Sequence, residues 1–105
     1  MNPSSPCYVL EVFQSETYQK WFKKLRDPQA QARIDARIRR VSLGNLGDAK
    51  GIGRGISELR IDYGPGYRVY FMQSGLRLVV LLNGGDKRTQ NSDIQRAIEI
   101  AESWK

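Results

Sequence analysis

Hydrophobic positions along this chain change their period from one stretch to the next. Residues 7–13 alternate and are rich in strand formers (Tyr8, Val9, Val12, Phe13), which predicts a first strand after a tail at residues 1–6. Ser15 can then cap a helix, on which Tyr18, Trp21, Phe22 and Leu25 share one face while Gln19, Lys20, Lys23 and Lys24 fall elsewhere. Asp27-Pro28 is a second start signal, because Asp accepts from the free amides of a first turn and Pro fits the first helical position. The helix it starts should run to about Leu43, with Ala30, Ile34, Ile38 and Val41 inward and Arg33, Arg37, Arg39 and Arg40 outward, until Gly44 stops it. Two antiparallel helices in a short hairpin are expected.

Beyond Asn45 the period drops to two, and the glycines at 44, 47, 51, 53 and 55 exclude a helix. The stretch 47–55 reads as a connection from helices to sheet; it has no Gly-Lys-Ser/Thr sequence of a nucleotide-binding loop. In residues 56–62, Ser57, Leu59 and Ile61 oppose Glu58 and Arg60. The run Tyr63-Gly64-Pro65-Gly66 makes a tight turn, and residues 67–73 return with Tyr67, Val69 and Phe71 on one face. After a turn at Ser74-Gly75, residues 76–82 are apolar enough for a strand buried on both faces. Residues 83–90 read as a polar connection, and Ser92 with Gln95 fits a capping box for a last helix that aligns Ile94, Ala97, Ile98, Ala101 and Trp104. Trp104 can either pack home or dock a partner. The order β-α-α-β-β-β-β-α predicts an α+β fold: two N-terminal helices packed on a twisted, antiparallel-rich sheet, with a C-terminal helix, in a single domain spanning residues 1–105.

Charge adds a functional direction. Seventeen Lys and Arg against eleven Asp and Glu leave a net charge of +6, which favours nucleic acid or an acidic protein partner, although a basic surface also serves solubility. One cysteine, Cys7, and no histidine exclude an internal disulfide and a zinc site of ordinary ligand spacing, so neither metal nor other cofactor is expected. No signal peptide or membrane-spanning run is apparent, which points to the cytoplasm and away from membranes.

Several runs, in order, carry a resemblance: Phe22-Lys-Lys-Leu25, Ala32-Arg-Ile34, Gly44-Asn-Leu-Gly-Asp48, Glu58-Leu-Arg-Ile61, Gly66-Tyr-Arg-Val-Tyr-Phe71, and Leu82-Asn-Gly-Gly-Asp-Lys87 followed by Gln90 and Asp93-Ile94. Together they resemble the phage-derived, HigB-like "addiction module killer" branch of the RelE/ParE toxin superfamily, over nearly the whole chain. The resemblance implies a toxin neutralised by a helix-turn-helix antitoxin, with which it would bind operator DNA. Most RelE-like members cleave messenger RNA on the ribosome, whereas ParE-like relatives poison DNA gyrase. Fold alone does not choose between these activities.

Cleavage of RNA through its own 2′-hydroxyl requires removing that proton, stabilising charge on the phosphorane and protonating the leaving 5′-oxygen. Without histidine, Lys or Arg would stabilise charge, and a Lys, Glu or Tyr would move protons. Arg68 matches the arginine that RelE-like nucleases set on the central sheet, and Lys87 with Arg88 matches their second cationic cluster. Arg60, Glu58 and Tyr70 are expected on the same outward face as Arg68, with Lys50 and Arg54 folding over it. Glu58 is a candidate proton acceptor, or else a solvated partner of Arg60 or Arg68. The row Arg33, Arg37 and Arg40 is a candidate grip on RNA phosphates or simply a solvated helix face. Ile56 and Glu58 stand where some RelE proteins carry a lysine pair, and Ile94 where they carry a tyrosine. Those departures keep gyrase inhibition, and a mainly regulatory role in the antitoxin complex, open beside the nuclease.

Overall fold

The computed structural model describes residues 10–104; the tail and Cys7, Tyr8 and Val9 of the expected first strand lie outside them. The first strand, β1 (Glu11–Gln14), passes directly into α1 (Glu16–Lys24). Ser15 makes that junction, since its hydroxyl accepts from the Tyr18 amide at 3.0 Å and donates to the Leu82 carbonyl. One small side chain thus caps the helix and ties it to the sheet. The second helix, α2 (Pro28–Ser42), starts where Asp27 accepts from the amides of Gln29 (2.9 Å) and Ala30 (3.4 Å), and ends before Gly44 at φ 88°. Its expected stripe of Ala30, Ile34, Ile38 and Val41 is buried in full.

Four more strands follow: β2 (Ala49–Gly53), β3 (Ile56–Ile61), β4 (Tyr67–Ser74) and β5 (Leu78–Gly85). Their order is β1-β5-β4-β3-β2, antiparallel throughout except that β1 runs parallel to β5. The glycine-rich stretch is therefore more than a connection: it holds the edge strand β2, closed onto β3 by a turn in which Arg54 (φ 56°) and Gly55 (φ 77°) are both left-handed.

Alternation along the strands feeds two cores. Leu59, Ile61, Val69, Phe71, Val79 and Leu81 face α1 and α2, together with Tyr18, Ile34, Ile38 and Val41. Ile56, Tyr70, Val80 and Leu82 face α3 (Gln90–Trp104) on the opposite side, against Ala97 and Ala101. Trp104 and Phe13, both exposed, pack against each other at the surface with ring centroids 4.8 Å apart.

Two boundaries differ from the sequence reading. Residues 83–85, expected in a polar loop, continue β5 and pair with Tyr70, Val69 and Arg68. The glycines there meet neighbours rather than make a turn: a Cβ on Gly84 would lie 2.4 Å from the Trp21 ring, and one on Gly85 would lie 1.8 Å from the Asp93 carboxylate. The last helix also starts earlier than Ser92. Asp86 caps a single 3-10 turn, Lys87–Thr89, in a reciprocal box with Thr89, and that turn runs straight into α3. The Arg88 side chain, bonding to the Asp86 carboxylate, holds its pKa below the ordinary aspartate value despite partial burial.

Asp27 yields a pH prediction. The Tyr63 hydroxyl donates to its carboxylate at 2.9 Å, and with the two capping amides this lowers the Asp27 pKa below its usual 3.8 against an opposing contribution from burial. A depressed folded pKa stabilises the fold above the unfolded value and loses that stabilisation as pH falls through the folded one. Asp27→Asn should therefore be less stable than the wild type at neutral pH. In urea titrations the gap should narrow only below about pH 3.8; a gap independent of pH would refute the assignment.

Candidate active site

The α3 face of the sheet is covered only as far as the start of that helix, and its polar residues collect at that end. Arg60 and Arg68 are direct cross-strand partners, which places two guanidinium groups side by side. Like charges opposed on a sheet repel unless something intervenes. Glu58 intervenes: its Oε1 accepts from Arg68 Nη1 at 2.8 Å and from Arg60 Nε at 3.3 Å. Its Oε2 accepts from Gln90 Nε2 at 2.8 Å and from the Tyr70 hydroxyl at 3.2 Å. Glu58 is 1% exposed and the Arg68 side chain 13%, so the pair is sheltered while one side of the arginine still meets solvent.

Around that arginine lies an open cleft of about 230 Å³ lined by Asp48, Arg60, Ile61, Asp62, Gly66, Tyr67, Arg68 and Lys87. The turn after β3 forms one wall, with Gly64 (φ 59°) and Gly66 (φ 81°) in the left-handed region that side chains disfavour. A Cβ on Gly66 would stand 3.6 Å from Lys87 Cβ, so the β3–β4 turn and the Lys87–Thr89 turn are in near contact. Arg88 points away, bonded to Asp86 at 3.0 Å, and lines a neighbouring depression with Lys87, Thr89 and Gln90.

The candidates named from sequence thus separate into groups. Arg68, Arg60 and Lys87 share one cleft, whereas Arg88 lines the neighbouring depression. Glu58 lies on the expected face but is no solvated carboxylate: it is buried beneath Arg68, its oxygens occupied by four donors, and a ligand in the cleft meets Arg68 before it. That geometry fits the alternative reading of Glu58, as the partner of Arg60 and Arg68, with the carboxylate buried instead of solvated. Tyr70 is fully buried, and burial together with the neighbouring Glu58 pushes its pKa upward, so it is poorly placed to release a proton. Lys50 stands opposite Glu58 in the β2–β3 register, exposed and on the same face.

Two arginines are placed otherwise than expected. Arg54 does not fold over the cleft; it pairs with Glu102 near the end of α3 at 3.0 Å, beside a separate apolar depression with Ile56, Met72 and Ile98. Arg37 is engaged in the fold itself, donating to the Arg60 carbonyl and to those of Leu46 (3.1 Å) and Asp48 (3.2 Å). Its guanidinium fastens the loop after α2 to β3. Arg33 and Arg40 remain exposed on α2, Arg33 with its guanidinium 4.6 Å from the Tyr63 ring centre. Gln90, Asp48, Asp62 and Tyr67 were given no site role from sequence, although Gln90, Asp48 and Tyr67 lie in the runs that carry the resemblance. For Gln90 there was no local signal, since its partner is 32 residues away; Asp86, by contrast, carries the Asp-x-x-Thr spacing of a helix start.

Among the described residues no group of three or more His, Cys, Asp or Glu is placed to hold a metal ion. No helix among them is long and apolar enough to cross a membrane.

Comparison with known proteins agrees with this fold and with the resemblance read from sequence. Residues 20–104 match the family described as phage-derived protein Gp49-like. A protein of Haemophilus influenzae, described as uncharacterized, is 46% identical over 94 residues, covering 90% of this chain and 95% of that protein. Among solved structures, the RelBE2 toxin-antitoxin complex of Mycobacterium tuberculosis superposes with a TM-score of 0.61 at 21% identity, over 75% of this chain and 99% of the matched one. The fold is RelE-like, as expected.

Proposed function

The chain belongs to the phage-derived Gp49-like family and has a RelE-like fold, and from that premise we propose that it is the toxin of a type II toxin-antitoxin pair, acting as a metal-independent endoribonuclease on ribosome-bound mRNA. The observation that carries this reading is the cleft in which Arg68, anchored on a buried carboxylate, is joined by Arg60 and Lys87. A cleft that brings three cations together, one of them a sheltered guanidinium, suits a phosphodiester whose charge grows in the transition state. Arg68 holds the scissile phosphate and stabilises the phosphorane. Lys87 lines the same cleft beside Gly66, and its ammonium is the candidate to protonate the leaving 5′-oxygen. Asp48 and Asp62, carboxylates of the same cleft, are the candidates to take the 2′-hydroxyl proton. Arg88, Lys50, Arg33 and Arg40 are exposed cations available for backbone phosphates of mRNA or ribosomal RNA, a role that positions a strand without reading its sequence.

The partner that restrains such a toxin is an antitoxin, here a helix-turn-helix protein that would also carry the complex to operator DNA. Support comes from the net charge of +6, which suits an acidic partner, and from the structural neighbour, itself a toxin-antitoxin complex. The test is induced expression in a bacterial host with transcript ends mapped by primer extension. Cuts within translated codons, suppressed when translation initiation is blocked, are the expected result. Growth arrest with intact transcripts and a rising DNA-damage response would replace the nuclease by a gyrase inhibitor.

A further inference from the structure

The carboxylate buried beneath Arg68 has a contact that phosphate binding does not require. Gln90 opens α3, immediately after the turn that carries Lys87 and Arg88, and its side-chain amide reaches back to Glu58 Oε2 at 2.8 Å. Oε1 of the same carboxylate holds Arg68 at 2.8 Å. The two principal cations of the site come from neighbouring strands: Arg68 lies on β4 opposite Gly85, the last residue of β5, and Lys87 stands two residues beyond it in the turn that leads into α3. The β4–β5 ladder fixes where that turn begins, while side-chain contacts, including Thr89 to Asp93, hold the rest of it. At one end Asp86 caps it through the Arg88 amide at 2.8 Å; at the other stands Gln90. Asn83 fastens the next turn of α3 by donating to the Asp93 carbonyl at 3.0 Å, but it touches neither cation.

We propose that Gln90 is a positioning residue of the RNA site: by donating to Glu58 it fixes the Lys87–Thr89 turn relative to Arg68, so that both cations meet one phosphodiester group. The inference rests on the nuclease reading for its effect on rate. The chemistry at position 90 fits the task. Glutamine brings a donor without charge to a carboxylate already facing two guanidinium groups, and its length spans from the helix start to the sheet. Glutamate there would set two carboxylates together, and leucine would leave a buried oxygen with one donor fewer. Misplacing a reacting group by about 1 Å costs up to about a hundredfold in rate, so a small drift of the turn is measurable.

A double-mutant cycle separates positioning from general structural support. Gln90→Leu should lower transcript cleavage tenfold or more, up to about a hundredfold, in the wild-type background, and change it little in a Lys87→Ala background, where nothing is left to position. Gln90→Lys, which restores a donor to Glu58, should recover most of the loss. In hydrogen exchange, Gln90→Leu should speed the amides of Arg88 and Thr89 while leaving those of Ala97 and Ala101 as they were. Equal losses in both backgrounds, or unaltered exchange at the turn, would overturn the proposal. If the wild type cleaves no RNA, the nuclease reading falls, and the exchange measurement alone then decides whether Gln90 holds the turn.

Discussion

Arg68→Ala is expected to abolish transcript cleavage and growth arrest, and to destabilise the protein by about 3 kcal/mol as well, because it leaves the Glu58 carboxylate buried without its closest cation. Removing one partner of a buried ion pair costs about 3–5 kcal/mol, and the low end applies here since Arg60, Tyr70 and Gln90 still donate to Glu58. Loss of activity in that variant is therefore ambiguous by itself. Arg68→Lys separates the two effects. An ammonium can keep the pair with Glu58 but cannot also present the planar fork of a guanidinium to a phosphate. Its thermal midpoint should stay close to that of the wild type while the cleavage rate falls by about 10²–10³-fold, the usual loss when one donor to a developing oxyanion is removed. Unchanged growth arrest in Arg68→Lys, with the protein folded and translation still blocked, would take the arginine out of the chemistry.

Gly84→Ala should lower stability by about 1–3 kcal/mol, the cost of forcing an extra carbon into a close-packed core. The new methyl would sit 2.4 Å from Trp21, and that indole is hemmed in by Tyr18 at 5.7 Å and Tyr67 at 6.4 Å between ring centres. The ring must move or α1 must lift from β5. Each kcal/mol lost should lower Tm by roughly 4–8 °C in a domain of this size. Gly51→Ala is the control: it lies in the edge strand β2 with no atom within 4 Å of the added carbon, so the substitution should be neutral or slightly stabilising. Equal Tm values for the two variants would mean that Gly84 is not under Trp21 in solution.

Gly84 and Gly85 also illustrate what a linear reading misses. Two glycines beside Asn83 have the composition of a loop, and only the packing of Trp21 above one and Asp93 below the other makes them the end of a strand. By contrast, Ser15, Asp27-Pro28 and the stripes Ala30-Ile34-Ile38-Val41 and Val69-Phe71 were legible because capping and alternation act over a few residues, which local sequence specifies directly. The same locality made Arg68 visible as an outward residue on β4, opposite in direction to Tyr67 and Val69.

The sequence by itself thus determined the helices, the principal strands and which residues share a face of each, the family, and a basic surface whose best candidate was Arg68. The tertiary structure decided which of the basic residues act together. Arg60 and Lys87 join Arg68 in one cleft, Arg37 is spent on backbone carbonyls, Arg54 lies with Glu102, and Glu58 is buried with four donors around its carboxylate. The reason is physical. Secondary structure and burial pattern follow from interactions between near neighbours in the chain, whereas the fate of a charged side chain depends on strand register and on what a distant segment brings to it, as Gln90 brings its amide to Glu58 across 32 residues.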